Sequence, residues 1–140
     1  MYTKIVEYKS RSLFKDYNEL QLIKEIESKT DLFQHILLIN EKTYVVCAAY
    51  PKDGIIAAEE IHLNAEPEDE VSNHDGLKCP YCNYVDYDAF DLEQDEDETE
   101  CANCNSHIKY ARKVIKNTLG ECKEVIYRSS PIELNKPIHI

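Results

Sequence analysis

Two closely spaced cysteine pairs constrain the fold of this chain more than any other feature of its sequence. The pairs are Cys79-Pro80-Tyr81-Cys82 and Cys101-Ala102-Asn103-Cys104, and residues 83–100 lie between them. Zinc prefers four thiolates in a tetrahedron, and each Cys-x-x-Cys turn supplies two of them from one strand end. The separation between the pairs is typical of such paired sites. The spacing therefore predicts one structural Zn2+ per chain, with four metal ligands: Cys79, Cys82, Cys101 and Cys104.

Other uses of four cysteines fit the sequence less well. Two disulfides would need an oxidising compartment, and residues 1–7 contain no uninterrupted apolar segment typical of a signal peptide. A thioredoxin-like redox site would explain one Cys-x-x-Cys pair but not two. An iron site uses the same four ligands, so the spacing leaves zinc and iron open. Four thiolates leave no coordination position for water, which argues against a catalytic metal.

The residue after each pair supports a metal-binding turn. The backbone at this position commonly becomes left-handed so that amide groups can point at sulfur, which favours glycine and then asparagine. Asn83 and Asn105 occupy the two positions in a chain that has only three glycines. We expect both asparagines to be left-handed.

The sequence around the second pair predicts a β-hairpin. Residues 106–116 alternate, with Ile108, Tyr110 and Val114 on one face and Lys109 and Lys113 on the other. A turn then leads into a second strand, residues 122–128. A metal site with two such turns that continues into a β-hairpin is a zinc ribbon.

The same region carries a resemblance to a known family. The stretch Cys79-Pro80-Tyr81-Cys82-x-Tyr84, followed by Phe90-Asp91-Leu92 and Cys101-x-x-Cys104, resembles the zinc-ribbon proteins common in bacteria and their phages. The resemblance covers about residues 77–128, under half of the chain. It implies that the four cysteines are ligands and is compatible with a phage or mobile-element origin, but it implies no activity. The departure is asparagine where the family usually has glycine.

The N-terminal part of the chain predicts a helix. Asp16 followed by Glu19 is typical of a helix start, because the second carboxylate can reach back to the cap. Apolar side chains then recur at three-residue spacing as far as about Lys29. These side chains are Tyr17, Leu20, Ile23 and Ile26.

Short apolar runs around this helix predict a small sheet. Residues 34–39 and 43–50 predict a hairpin that is buried on both faces, and residues 3–8 predict a first strand. Residues 55–63 fit a strand or a short helix. The predicted fold class is therefore α+β, with a helix against an antiparallel sheet, followed by the β-rich zinc ribbon.

Composition changes suggest four segments along the chain. We expect a small α+β domain at residues 1–63 and an acidic linker at 64–76, which contains almost nothing that could enter a core. The zinc ribbon follows at 77–130, and a tail occupies 131–140. No apolar run approaches the roughly 18 residues that a membrane-spanning helix needs. We therefore expect a cytoplasmic protein, in the host cytoplasm if phage-encoded, with no membrane partner.

The charge of −11 is concentrated in the middle of the chain. Residues 52–108 contain two basic and 17 acidic side chains, a formal charge of −15. Two acidic runs dominate this segment, at residues 66–70 and 93–100. Such runs are usually solvated loops, but their concentration makes the chain electrostatically uneven.

Few other residues suggest chemistry. Cys47 lies in an apolar run and is interpreted as a buried, inert thiol, whereas Cys122 is expected to face the interior of the hairpin. His107 is interpreted as a strand residue because four thiolates already satisfy a metal. No phosphate loop, nucleophile elbow or His-Glu-x-x-His motif occurs, so we expect a protein that is not an enzyme.

Two functional hypotheses follow. The first is a non-catalytic accessory or inhibitory module that binds the basic surface of another protein through its own acidic surface. The alternative is a nucleic-acid-binding or transcription-associated zinc ribbon. The −15 segment opposes the alternative, because phosphate would be repelled from most approaches. The basic residues that would carry it are Lys109, Arg112, Lys113, Lys116, Lys123 and Arg128.

Overall fold

The computed structural model describes residues 1–9, 20–89 and 92–140, and the regular structure in these ranges is built from β-strands. No α-helix occurs in the described ranges, so the α+β prediction is wrong and the fold is nearly all β. The strands are β1 (Tyr2–Glu7), β2 (Leu22–Ser28), β3 (Ile36–Ile39), β4 (Lys42–Tyr50), β5 (Ile55–Ile61), β6 (Val71–Asn73), β7 (Leu77–Lys78), β8 (Val85–Asp86), β9 (Glu96–Glu100), β10 (His107–Lys116), β11 (Cys122–Glu133) and β12 (Ile138–His139).

The chain divides into two compact units. Unit 1 contains Met1–His62 together with Lys136–Ile140, and unit 2 contains Leu63–Asn135. Residues 131–140 were predicted to be a tail, and they supply the end of β11 and the whole of β12. The predicted linker, residues 64–76, contains β6. No helix among the described residues is long and apolar enough to cross a bilayer.

Unit 1 is a six-stranded sheet with the order β12-β3-β4-β5-β1-β2. Its antiparallel pairs are supplemented by two parallel ones, β1 with β5 and β12 with β3. One face buries a cluster that includes Ile5, Leu37, Val46 and Ile56. The two end strands also contribute to this cluster, and Lys24 Nζ donates to the main-chain oxygen of Ile140 at 2.9 Å. The sheet therefore curls around its core.

The hairpin predicted at residues 34–50 is confirmed as β3 and β4. Its two turn residues, Asn40 and Glu41, have φ angles of 51° and 67°. Positive φ at both positions is the type I′ pattern, whose twist matches that of the strands it joins. The segment left open between helix and strand, residues 55–63, contains β5, in which Ile56 is fully buried.

The region predicted to be a helix at residues 16–29 contains β2 instead, while the proposed cap and first turn lie outside the described residues. β2 pairs antiparallel with β1, and the register shifts twice along this pair. Each shift adds a residue to β2 and inverts its alternation. Ile23 and Ile26 consequently pack on the same core although they are three positions apart. A bulged strand thus reproduces the spacing of an amphipathic helix.

Unit 2 contains a four-stranded antiparallel sheet, β6-β11-β10-β9, and the short hairpin β7-β8. The predicted alternation of β10 is confirmed, because Ile108 and Tyr110 are buried whereas Lys109 and Lys113 are exposed. Val114 lies beyond the end of β9 and is 42% exposed. The acidic run that looked like a loop contains the edge strand β9.

Candidate metal centre

The first cysteine turn joins β7 to β8. The Cys79 N–H donates to Tyr84 O at 2.8 Å, and the Asn83 N–H returns to Cys79 O at 2.9 Å. These two hydrogen bonds fold the chain back on itself directly after Cys82. The turn therefore directs the Cys79 and Cys82 side chains towards one point.

The second cysteine turn, between β9 and β10, repeats this pattern. The Cys101 N–H donates to Ser106 O at 2.9 Å, and the Asn105 N–H donates to Cys101 O at 2.9 Å. The offsets along the chain are the same as in the first turn. Two separate segments have thus folded into the same local structure, as expected for two halves of one ligand set.

Asparagine occupies the left-handed position of both turns, as the sequence predicted. Asn83 has a φ of 64° and Asn105 a φ of 59°. Asparagine tolerates this conformation better than most residues because its short amide can bond locally. The local backbone required for a cysteine turn is therefore compatible with the sequence at both sites.

The four sulfur atoms lie within 4.8 Å of one another. Cys79 Sγ is 3.7 Å from Cys104 Sγ, and Cys82 Sγ is 3.6 Å from Cys101 Sγ. A disulfide would need about 2.05 Å, and all four cysteines are free. A tetrahedron with metal–sulfur bonds of about 2.3 Å has sulfur–sulfur edges of about 3.8 Å. The cluster therefore fits one tetrahedrally bound metal ion.

Hydrogen bonds among the four thiols shift their pKa values in opposite directions. The bond with Cys101 raises the pKa of Cys79 and lowers the pKa of Cys82. The bond with Cys104 raises the pKa of Cys101, and the same bond lowers the pKa of Cys104 to about 7. Metal binding requires all four as thiolates, so a metal must displace the remaining protons.

Polar groups from the second turn contact three of the sulfurs. The Asn103 N–H donates to Cys101 Sγ at 3.3 Å, and Asn103 Nδ2 donates to Cys82 Sγ at 3.6 Å. Ser106 Oγ lies 3.2 Å from Cys104 Sγ. Donors of this kind orient thiolate ligands and stabilise their charge.

Two asparagines that the sequence analysis did not single out also contact the turns. Asn64 bonds to the first turn and Asn135 to the second. Both lie far along the chain from the cysteines that they approach, so no local spacing could have identified them. Only the fold brings them to the site.

The remaining cysteines lie outside the cluster. Cys47 is half-buried in β4, its Sγ donates to Ala57 O at 3.4 Å, and burial raises the pKa of its thiol to about 11. Glu59 adds to that shift. Cys122 is exposed at the start of β11, so the expectation that it faces inward is wrong.

His107 begins β10 and is a strand residue, as predicted. Its Nε2 lies 3.1 Å from Glu98 Oε2, so its ring faces a carboxylate of the neighbouring strand. The cluster of potential ligands found among the described residues consists of the four cysteines without this histidine.

The six basic residues of the β10–β11 hairpin do not form one cationic face. Alternation along β10 places Lys109 and Lys113 on one face and Arg112 and Lys116 on the other. Arg112 forms an ion pair with Asp95 at 3.0 Å, and its Nη1 also donates to Leu92 O.

Two more of these six basic residues face carboxylates. Lys109 is paired in register with Glu98, and Arg128 Nε lies 3.8 Å from Glu70 Oε1. Two of the six, Arg112 and Arg128, therefore have a carboxylate within ion-pair distance, and Lys109 has one on the neighbouring strand.

Comparisons with known proteins add no relative to this picture. No family model matches the chain, no curated protein is significantly similar in sequence, and no solved structure matches it significantly. The resemblance to zinc ribbons therefore rests on residues 77–128 alone, and the four clustered cysteines are compatible with a zinc-binding module.

Proposed function

We propose that the chain is a non-catalytic, zinc-stabilised accessory or inhibitory module that binds another protein through an acidic surface. The clustering of four cysteine sulfurs at tetrahedral spacing carries the metal-binding part. Four protein thiolates would complete the coordination of zinc and leave no position for a substrate or water. Zinc would then serve the fold of unit 2 rather than a reaction.

Metal content tests this first part. Protein purified without chelator is expected to contain about one zinc ion per chain by elemental analysis. Cys104→Ser is expected to lose the metal, while the matched variant Cys122→Ser, at an exposed cysteine outside the cluster, keeps it. Iron in place of zinc would correct the identity of the metal. The absence of any metal from the wild-type protein would contradict the proposal.

Strand β9 supports the acidic-surface part. Alternation places Glu96, Glu98 and Glu100 on one face of this edge strand, and all three are exposed. Within the described part of the chain, Glu96 and Glu100 have no ion pair within 4.0 Å. Glu98 faces His107, so Glu96 and Glu100 are the members of this row without such a contact among the described residues. These carboxylates would speed association with a basic partner, and the acceleration would weaken as salt rises.

A cleft beside the first cysteine turn offers a second acidic feature. Its volume is about 310 Å3, and its lining includes the carboxylates of Glu66 and Glu68. Apolar groups of Val71 and Pro80 form part of the wall. Lys78 also lines the cleft, so its formal charge is −1 rather than −2. A lysine or arginine side chain of a partner would pack its stem on the apolar wall and place its charge near the two glutamates.

The observed charge arrangement favours a protein partner over nucleic acid. Strong phosphate binding needs several cations on one surface, because affinity comes from the release of counterions. In unit 2 the basic residues are divided between two faces, and Arg112 and Arg128 contact carboxylates. A zinc ion with four thiolates would add two further negative charges to this unit.

Charge-neutral variants test the acidic surface. Once a partner has been recovered from the native host, a triple variant (Glu96→Gln, Glu98→Gln, Glu100→Gln) is expected to associate more slowly and with weaker salt dependence. The matched control neutralises three exposed glutamates of unit 1, Glu25, Glu27 and Glu41, and is expected to behave as wild type. Equal effects of the two triple variants would show that net charge alone matters and would contradict the proposed surface.

Binding to duplex DNA tests the alternative hypothesis, a nucleic-acid-binding zinc ribbon. At about 150 mM salt, the metal-loaded protein is expected to bind a fluorescent duplex weakly and without sequence preference. A submicromolar complex under these conditions would contradict the proposal and favour nucleic-acid binding instead.

A further inference from the structure

We propose that Asn64 and Asn135 are positioning residues of the metal centre, each holding one cysteine turn in ligand geometry from one end of unit 2. This inference rests on the proposed metal binding. Neither residue belongs to the cysteine motif, and each side chain donates to a main-chain carbonyl of a cysteine turn. Each asparagine fixes the backbone of one cysteine turn, and the backbone of that turn determines where its cysteine side chains point.

Asn64 satisfies the two carbonyl groups that lie between the first pair of cysteines. Its main-chain N–H donates to Tyr81 O at 2.7 Å, and its Nδ2 donates to Pro80 O at 2.7 Å. These carbonyls belong to a tight turn between β7 and β8 and have no partner in the β7–β8 ladder. Pro80 and Tyr81 are both buried, so loss of the donors would leave polar groups without easy access to water.

The same asparagine also holds the left-handed residue of that turn. Asn64 Nδ2 donates to Asn83 Oδ1 at 3.0 Å, and Asn83 Nδ2 donates to Asn64 Oδ1 at 3.0 Å. The Asn64 amide thus uses both of its N–H groups and its oxygen. The Asn83 N–H simultaneously closes the turn on Cys79 O. Three residues of the first turn, Pro80, Tyr81 and Asn83, are therefore hydrogen-bonded to Asn64.

Asn135 has an equivalent relation to the second turn. Its Nδ2 donates to Cys104 O at 3.1 Å, and its main-chain N–H donates to Ser106 Oγ at 3.0 Å. Asn135 therefore contacts both a ligand residue and the serine beside it.

The contact with Ser106 orients a hydroxyl group towards sulfur. Ser106 is fully buried, and its Oγ lies 3.2 Å from Cys104 Sγ. In the metal-free protein the Cys104 thiol can donate to this oxygen. A metal-bound thiolate would have no proton to donate, and the serine hydroxyl would then be the donor in this contact. Because Asn135 already donates to Ser106 Oγ, the hydroxyl proton remains available for that bond.

The positions of the two asparagines along the chain give this arrangement a further consequence. Unit 2 runs from Leu63 to Asn135, so Asn64 and Asn135 lie at its two ends. Each end of the unit is attached to a different cysteine turn. Closing the metal centre therefore fixes both ends of the chain that forms the unit.

Metal affinity measured by competition with a chelator tests the proposal in the full chain. Asn64→Ala and Asn135→Ala are each expected to bind Zn2+ about 10- to 100-fold more weakly, the range typical of groups that orient metal ligands. The matched control is Asn117→Ala. Asn117 also accepts two main-chain hydrogen bonds in unit 2, from Leu119 and Glu121, but does so in the β10–β11 turn. Its loss is expected to leave zinc affinity unchanged.

A second measurement separates positioning from general stability. The absorption spectrum of the Co2+-substituted protein at saturation is expected to change in Ser106→Ala, because one thiolate loses its donor, and to stay unchanged in Asn117→Ala. If Asn64→Ala and Asn135→Ala bind zinc as tightly as Asn117→Ala does, or lower only the melting temperature, the proposal is overturned. If the wild-type protein binds no metal, the failure belongs to the proposed function instead.

Discussion

The left-handed backbone at Asn83 and Asn105 is the residue-scale feature that makes each cysteine turn possible. Both positions have φ near 60°, where most side chains crowd the following carbonyl. The sequence predicted these conformations because asparagine stood where glycine was expected. It could not predict the Asn64 amide pair, because that pairing depends on contacts between residues 19 positions apart.

Substitution of Asn83 isolates the contribution of backbone conformation. Asn83→Ala and Asn83→Gly both remove the amide, so the difference between them reports the cost of left-handed φ in alanine minus the entropic cost of glycine. We expect Asn83→Gly to be more stable than Asn83→Ala by about 1 kcal/mol. Chemical denaturation of the metal-loaded protein measures the difference. Equal stabilities would contradict the strained position that the structure assigns to this residue.

Thiol alkylation distinguishes the two cysteines outside the cluster. The pKa of Cys47 is raised to about 11, so its reactive thiolate form is scarce at pH 8, whereas Cys122 is exposed. We therefore expect iodoacetamide to modify Cys122 first in the metal-loaded protein and Cys47 only slowly. Raising the pH towards 11 should accelerate modification of Cys47 while unit 1 stays folded. Mass spectrometry of the digested protein measures the order in which the two cysteines are alkylated. Alkylation of Cys47 before Cys122 would contradict the buried environment assigned to Cys47.

At the scale of elements, alternation predicted strands well where a strand is regular. β3, β4, β10 and β11 follow from their apolar patterns and from the turns between them. β2 could not be predicted from its apolar pattern, because two bulges give its apolar residues the spacing of a helix. β9 was also missed, since an edge strand with exposed glutamates on one face has the composition of a solvated loop. Pairing with neighbours, not local propensity, makes both segments strands.

The turn between β3 and β4 allows a test at this scale. Glu41 has a φ of 67°, and type I′ turns strongly prefer glycine at this second position. Glu41→Gly is therefore expected to stabilise unit 1 by roughly 0.5–1 kcal/mol, because relief of backbone strain exceeds the entropic cost of glycine. Glu41→Gln changes the charge alone and should leave the melting temperature unchanged. A lower melting temperature for Glu41→Gly would exclude the assigned turn geometry.

At the scale of the whole molecule, we expect the two units to differ in how far their stability depends on a metal. Unit 1 has an apolar core in which Ile5, Leu37 and Ile56 are fully buried. In unit 2, apolar side chains such as Ile108 and Tyr110 are also buried, but three further buried residues are cysteines of the candidate metal centre. The sequence located the cysteines, and their spacing predicted their clustering. The all-β character of unit 1 depends on long-range pairing, such as β12 with β3, which spans most of the chain.

Removal of the metal should therefore unfold the units selectively. A structural zinc site contributes on the order of 10–16 kcal/mol of binding free energy, which is also folding free energy for the surrounding unit. A strong chelator is expected to abolish protection from hydrogen exchange in β10 while leaving β4 and β5 of unit 1 protected. Residues 63–135 would then form a long loop between β5 and β12, and loop closure becomes only slowly more costly with length.

Two cysteine variants distinguish the effect of losing the metal from any direct effect of the chelator on the protein. Cys79→Ser should give the chelated pattern without any chelator, and Cys122→Ser should give the wild-type pattern until chelator is added, because only Cys79 belongs to the cluster. Readdition of Zn2+ should restore protection of β10 in the wild-type protein but not in Cys79→Ser. If chelation removes protection from β4 and β5 as well, the two units unfold together and the core of unit 1 is not sufficient for its own stability. If it leaves β10 protected, the metal does not hold unit 2 together.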